Sequence, residues 1–371
     1  MNSLFVFGTR PEAIKLAPVV RAFKADNRFR SIVCVTGQHR SMLDQVLAFF
    51  DLKPDYDLNL MLPNQSLSSL AGRAIMACAE VIERAKPAIV FVQGDTTTAF
   101  AAAFAAFQCR VPVAHVEAGL RSFRKDAPFP EEMNRVLIAD IANLHFPPLE
   151  ASRANLVREG ITKDVHVVGN TVVDALLLGL RLTQERGDAT IAAHFCQIDF
   201  NRKLVLITIH RRESFGEPLV GIFEAIREIA TDPEVEVIYP VHLNPNVLGI
   251  AHKILGGLNN VHLIEPLDYA QFIWIMSKVS LIITDSGGVQ EEAPSLGIPV
   301  LVAREVTERA EGVAAGCAKL VGCDTPLIVR EARAALAIPL NSRSRFNPYG
   351  DGKSSERILD ITYNFLQNTA L

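Results

Sequence analysis

Asp95, Glu117 and His210 each follow an apolar run and stand where a loop begins. Asp95 comes after Ala88–Val92, in Gln93-Gly94-Asp95-Thr96-Thr97-Thr98. Glu117 comes after Val111–Val116, in His115-Val116-Glu117-Ala118-Gly119-Leu120-Arg121. His210 comes after Leu204–Ile209, in Thr208-Ile209-His210-Arg211-Arg212-Glu213. Carboxylates and imidazoles are the usual groups of proton transfer. In open α/β sheets, ligands bind beyond the carboxyl ends of strands. Asp95 has a second reading as the N-cap of a helix starting near Thr96. Glu117, among small residues at a strand end, is harder to explain as packing. Pro130-Glu131-Glu132-Met133-Asn134-Arg135 opens a further helix; acidic residues in a first turn suit the helix dipole, so at least one of the pair reads as structural.

A second group of residues suits an anion. Gly8-Thr9-Arg10-Pro11-Glu12-Ala13-Ile14-Lys15 follows the apolar run Leu4–Phe7 and precedes an amphipathic stretch. Arg10 and Lys15 set two cations beside a helix N-terminus, either as a phosphate site or as a solvated basic turn. Thr284-Asp285-Ser286-Gly287-Gly288-Val289-Gln290-Glu291-Glu292 is the sharpest motif. Its glycines let a ligand approach free backbone N–H groups, and Glu292 lies about one turn in. Arg304-Glu305-Val306-Thr307-Glu308-Arg309 follows the next strand. His242 ends another strand and reads as structural or as a cleft-edge residue.

The elements that carry these loops alternate along the chain. Strand-like runs fall at Leu4–Phe7, Ile32–Thr36, Ala88–Val92, Val111–Val116 and Val165–Val168, separated by helical patterns. A second series follows at Leu204–Ile209, Val235–Pro240, Val261–Ile264, Leu281–Thr284, Val300–Val302 and Lys319–Val321. The alternation predicts α/β architecture with two doubly wound parallel sheets. We expect one domain over 1–170 and another over 171–353, with a hinge within Thr171–Asp199 and the ligand in an interdomain cleft. The helical pattern from Ser354 is expected to pack back on the first domain.

The chain has 371 residues, 49% of them hydrophobic, and a net charge of −4. That charge, without a basic block, argues against nucleic-acid or anionic-membrane binding. No apolar run is long enough to span a membrane, and the N-terminus lacks the basic region of a signal peptide. Six scattered cysteines without a C-x-x-C fit a reduced, cytoplasmic protein.

Taken together, these residues resemble the non-hydrolysing UDP-N-acetylglucosamine 2-epimerases. The matching pieces are GTRPEAIK, TGQHR-x-MLDQVL, GDTTT, HVEAGLR, PEE-x-NR, HRRE-x-FG, TDSGG-x-QEEAPSLG, TER and NPYGDGK, in the family order from Gly8 to Lys353. The resemblance implies a GT-B-like fold of two Rossmann-like domains, a homodimer, and a UDP-sugar substrate with neither metal nor other cofactor. By motif it implies that Asp95, Glu117 and Glu131 are catalytic carboxylates and that His210 assists UDP departure. Arg10 and Lys15 would contact the nucleotide sugar. His210, Ser286, Gly287 and Gly288 would hold the diphosphate, approached by Arg309, with His242 at the substrate site. Glu292 would bind the ribose and Phe272 would lie against the uracil.

The family reaction is reversible C2 epimerisation of UDP-GlcNAc to UDP-ManNAc, by loss of UDP to a 2-acetamidoglucal and re-addition. Some relatives bind a second substrate molecule beside Gln38 and His39 as an activator; Ser41 here replaces a longer polar residue. Thr307-Glu308-Arg309-Ala310-Glu311 departs from the frequent TERPE by a proline. The GDTTT segment favours the non-hydrolysing branch over hydrolysing relatives. A modified UDP-HexNAc substrate, a GT-B glycosyltransferase and a non-catalytic UDP-sugar sensor stay open as alternatives.

Overall fold

The computed structural model describes every residue except 38–39, 63, 212–213, 243, 340–341 and 370–371. The chain divides into two compact units: residues 1–178 with 350–371, and residues 179–349. The division falls inside the helix Thr171–Arg186.

In the first unit the strands are β1 (Asn2–Phe7), β2 (Arg30–Val35), β3 (Tyr56–Asp57), β4 (Ile89–Gln93), β5 (Val113–Val116) and β6 (Leu144–Phe146). They pair in parallel in the order β3-β2-β1-β4-β5-β6. Both faces of such a sheet are covered by crossover helices, which explains the unbroken apolar run Leu4–Phe7, fully buried. On one face Phe5 stacks on Phe91 with ring centres 4.6 Å apart, and Phe23 meets both edge-on. On the other, small side chains of Thr97–Gln108 (Ala99, Ala102, Ala103, Ala106) join the core and let this helix pack on Leu67–Ala85. The final helix, Ser354–Thr369, lies against Arg10–Ala25. Its first turn is fixed by the Ser355 N–H donating to Asp174 at 2.7 Å.

In the second unit the strands are β7 (Lys203–Thr208), β8 (Val235–Pro240), β9 (Val261–Ile264), β10 (Leu281–Thr284), β11 (Val300–Val302) and β12 (Ala318–Leu320). They run parallel in the order β12-β11-β10-β7-β8-β9. Counted within its own unit, each sheet has the order 3-2-1-4-5-6 of the Rossmann fold. The strand order reverses between β1 and β4 in one unit and between β7 and β10 in the other. In open α/β sheets such switch points are where the following loops part and ligands bind.

The structure departs from the sequence reading at several elements, the two-residue β3 and the helix Pro245–Leu255 among them. Val165–Val168 is not a strand; Val165 makes a single bridge to His145. The edge position is taken by Leu144-His145-Phe146, a run too short to stand out by periodicity. The helix Thr325–Ala337 was not anticipated, although Asp324 caps it and Pro326 occupies its first turn.

Candidate functional site

In the first unit, the loop after β1 enters the helix Arg10–Ala25 through a capping box. Thr9 accepts from the Glu12 N–H, and Glu12 reaches back to the Thr9 N–H at 2.7 Å. Glu12 is almost wholly buried and takes four donors. Its Oε2 accepts from the Gly8 N–H (3.0 Å), the Thr9 N–H and the Thr9 hydroxyl (2.8 Å); its Oε1 accepts from the Thr96 hydroxyl (2.6 Å). Burial pushes the Glu12 carboxyl above its ordinary range, opposed by these hydrogen bonds. A Cβ at Gly8 would run into the hydroxyls of Thr36 and Thr98, so only glycine fits there. The Arg10 side chain makes no hydrogen bond or ion pair among the described residues, and the residue is half-buried.

Lys15, one turn on, pairs with Glu117, its Nζ 2.6 Å from Oε2. The Gln93 amide also donates to that oxygen. Glu117 stands just past β5 in the left-handed region, with φ of 63°. For a residue with a side chain this is a costly conformation, of the kind that gathers at functional sites. Asp95, just past β4, accepts from Arg135 Nε at 2.7 Å. Its backbone carbonyl accepts from the Asn134 amide at 2.8 Å. Burial raises the Asp95 carboxyl above its usual range; Arg135 opposes this and Glu117 adds to it.

The Glu131–Glu132 pair separates in role. Glu132 is buried and accepts from the N–H groups of Ser122 (3.0 Å) and Phe123 (2.8 Å) and from Arg135 (2.8 Å). Burial alone would raise its carboxyl, but these bonds outweigh it and hold the group below its usual range. Glu131 is the half-buried first residue of the helix Glu131–Ile141, and its side chain makes no hydrogen bond among the described residues. Lys15, Asp95 and Glu117 therefore gather at the C-terminal ends of β1, β4 and β5, and Glu131 stands without a hydrogen bond to them. Glu12, Gln93 and Arg135 were not singled out from the sequence as site residues. The Thr9-x-x-Glu12 spacing was a readable capping-box signal for the first. A cavity of about 740 Å³ lies elsewhere in this unit, beside the start of β6, lined by residues including Asn143, His145 and Asp164; none of Asp95, Glu117 and Glu131 lines it.

In the second unit a buried carboxylate again ties the two switch-point loops. Asp285, after β10, accepts at Oδ2 from the N–H groups of His210 (2.9 Å) and Arg211 (2.7 Å), after β7. Its Oδ1 lies 3.3 Å from His210 Nδ1, without hydrogen-bond geometry. The His210 ring stacks on that of His242, centres 5.8 Å apart. Desolvation lowers the His210 pKa; Asp285 opposes this, while His242 and Arg211 add to it. His242 is exposed and accepts from the Asn244 N–H at 3.1 Å.

Ser286 N-caps the short helix Gly287–Glu292, its side chain making no capping bond. A Cβ on Gly287 would sit 3.2 Å from the Arg309 guanidinium carbon, whereas one on Gly288 would meet open space. Arg309 donates to Glu291 at 2.9 Å. The Tyr349 hydroxyl donates to the Arg309 carbonyl at 3.0 Å, tying the TER loop to the NPYG segment. Glu292 is buried, and Phe272 is half-buried in the helix Tyr269–Met276. Gln38 and His39 lie outside the described residues, as do Arg212 and Glu213. No group of three or more potential metal ligands occurs among the described residues, and none of their helices is long and apolar enough to cross a membrane.

A family model described as UDP-N-acetylglucosamine 2-epimerase matches residues 21–362. The chain belongs to the UDP-N-acetylglucosamine 2-epimerase family. Its curated relatives at about 50% identity are UDP-N-acetylglucosamine 2-epimerases, which are isomerases. The UDP-N-acetylglucosamine 2-epimerase of Salmonella typhimurium is 50% identical over 98% of this chain and 99% of its own length. The crystal structure of the Neisseria meningitidis UDP-GlcNAc 2-epimerase bound to UDP-GlcNAc is 47% identical. It covers 98% of this chain and 100% of that one, with a TM-score of 0.88. A crystal structure of a putative UDP-N-acetylglucosamine 2-epimerase from Listeria monocytogenes has a TM-score of 0.91 at 44% identity, over 99% of this chain and 97% of that one. The two Rossmann-like units are thus of the GT-B-like epimerase fold.

Proposed function

We propose that this protein interconverts UDP-GlcNAc and UDP-ManNAc by eliminating UDP to a 2-acetamidoglucal and adding it back with C2 inverted. The observation that carries this reading is the pairing of Asp95 with Arg135 and of Glu117 with Lys15 at neighbouring strand ends. A simple binding protein has no need of two such carboxylates held together with their counter-ions.

The C2 hydrogen of an N-acetylhexosamine is weakly acidic until positive charge develops at C1 as UDP leaves. UDP and the C2 hydrogen lie on opposite faces in the gluco sugar and on the same face in the manno sugar. A fixed glucal therefore needs proton transfer on both faces, hence more than one carboxylate. Asp95, Glu117 and Glu131 share those transfers. In the second unit His210, Ser286, Gly287, Gly288 and Arg309 hold the diphosphate, His242 borders it through its stack on His210, Glu292 takes the ribose, and Phe272 lies against the uracil. Cations and N–H dipoles stabilise the departing UDP. Arg10, uncommitted among the described residues, contacts the nucleotide sugar. The enzyme works in the cytoplasm as a homodimer and uses no metal.

Incubation of the purified protein with UDP-GlcNAc alone in deuterated water, followed by NMR, tests this. The expected outcome is an equilibrium mixture of UDP-ManNAc and UDP-GlcNAc carrying deuterium at C2. A C2-inverted product without deuterium overturns the route. Free N-acetylmannosamine with UDP, or no turnover without an added acceptor, overturns the function.

A further inference from the structure

We propose that Glu12 is a positioning residue for catalysis, holding the Asp95 loop against the Arg10 turn through the Thr96 hydroxyl. The inference rests on the reading of Asp95 as a proton-transfer group. Glu12 has no place in that chemistry: it is 1% exposed and all of its partners are protein groups.

The switch point of the first unit lies between β1 and β4, where the two following loops part. Nothing in the sheet ladder links loops beyond the last paired residues. Glu12 supplies the link with its two oxygens divided between them. Oε2 gathers the Gly8 and Thr9 N–H groups and the Thr9 hydroxyl on the β1 side. Oε1 takes the Thr96 hydroxyl on the β4 side, at 2.6 Å. Thr96 follows Asp95 directly, and its hydroxyl oxygen also accepts from the Ala99 N–H at 3.0 Å, capping the helix Thr97–Gln108. A rotation of Thr96 therefore turns the backbone that carries Asp95. The loop is held from two other sides by His115, hydrogen-bonded to the Gly94 carbonyl, and Asn134, donating to the Asp95 carbonyl. Asp285 bridges the corresponding loops of the second unit, so both switch points are closed by a buried carboxylate.

The chemistry of the bridge separates its halves. In Glu12→Gln the amide oxygen still accepts the N–H groups of Gly8 and Thr9. The amide nitrogen then faces Thr96, whose hydroxyl must accept from both it and Ala99 and loses its acceptor. The variant keeps the Arg10 turn and disturbs the Asp95 loop. Steady-state kinetics are measured for Glu12→Gln, Thr96→Val, Thr96→Ser and the Gln/Val double variant, with active sites counted by UDP titration and deuterium uptake at C2 followed in parallel.

Glu12→Gln and Thr96→Val are expected to lower kcat per UDP-binding site by about tenfold to 100-fold, the scale of a misplaced catalytic group. KM should stay within about threefold, which marks loss of a transition-state interaction rather than of binding. The double variant should be no worse than the poorer single, and Thr96→Ser, which keeps the hydroxyl, should match the parent protein. Deuterium uptake should fall in step with kcat. Unchanged kcat per site in Glu12→Gln, or losses that multiply in the double variant, overturn the inference. If Glu12→Gln fails to fold, equal kcat in Thr96→Val and Thr96→Ser overturns it. Absence of deuterium uptake by the parent protein instead overturns the reading of Asp95 on which it rests.

Discussion

Lys15 grips Glu117 with its Nζ 2.7 Å from Oε1 and 2.6 Å from Oε2, while the Glu117 backbone sits at a φ of 63°. The cation one turn into the first helix thus directs its charge at a carboxylate held in a strained conformation at the end of β5. The Lys15 and Glu117 side chains are 16% and 10% exposed, so the pair is largely desolvated. Removing Lys15 leaves the largely desolvated Glu117 carboxylate without its paired cation, at a cost of about 3 kcal/mol. Lys15→Met is expected to lower both Tm and kcat. Adding Glu117→Gln should restore Tm while leaving the protein inactive, which separates the charge balance from the chemistry. Thermal melts and turnover of the two variants check this, and recovered activity in the double variant would remove Glu117 from the reaction.

Glu131 and Glu132 are neighbours whose substitution should have opposite consequences. Glu132 accepts two N–H groups and the Arg135 guanidinium from a buried position. Glu132→Gln turns part of that acceptor set into donors and should destabilise the protein by about 1–3 kcal/mol, the usual cost of unsatisfied buried partners. Glu131 makes no such bonds among the described residues. Glu131→Gln should leave urea unfolding unchanged and lower kcat by about 100-fold or more, the range of general acid–base groups. A Glu131→Gln enzyme of full activity would leave only Asp95 and Glu117 as proton-transfer candidates.

Much of this arrangement was legible because strand ends in α/β proteins are marked twice, by the apolar run that stops and by the helix that starts. Asp95 and the Ser286-Gly287-Gly288 turn stand at such junctions, while Glu117 and His210 are marked by the stopping run alone. The sheet order was beyond reach, since it depends on which buried strand lies beside which, and Val, Ile and Leu runs are interchangeable in sequence. Short edge strands failed for a related reason: three residues, as in β6, carry no period. The partners of the carboxylates were the larger gap. The Asp95–Arg135 pair joins residues 40 apart and Lys15–Glu117 joins residues 102 apart, so neither has a local pattern. Asp285 was seen only as part of a turn, although its buried side chain organises the His210 loop.

His115 predicts an acid-sensitive fold. Fully buried on β5, it bonds the Gly94 carbonyl at 2.8 Å, and burial drives its pKa down to about 3. His145, paired beside it on β6, is lowered to about 4 by its own burial. In the unfolded chain both titrate near the ordinary value of about 6.5. Between that value and the folded ones the unfolded state binds more protons, so stability falls as pH falls through the window. His115→Gln keeps a donor at the side-chain end and removes one titrating group. Unfolding free energies from urea titrations at about pH 7 and about pH 5 should differ less in this variant than in the parent protein. An equal difference would assign the acid sensitivity elsewhere.

The glycines at the second switch point separate structure from ligand binding more cleanly. A Cβ at Gly287 would lie 3.2 Å from the Arg309 guanidinium carbon, whose Nε bonds Glu291 at 2.9 Å. Gly287→Ala should therefore push Arg309 aside and weaken UDP binding through a protein side chain. Gly288 has nothing within reach of a Cβ. As an exposed position in a helix, its change to alanine should raise stability by about 0.5–1 kcal/mol through the unfolded state. Any loss of UDP affinity in Gly288→Ala must then come from the added methyl meeting the ligand. Calorimetric titration with UDP is expected to show affinity reduced by about tenfold or more in both variants, about 1.4 kcal/mol or more, with Tm unchanged or raised only in Gly288→Ala. Parent-like affinity in Gly288→Ala would move the diphosphate away from this helix start and leave His210 and Arg309 to hold it.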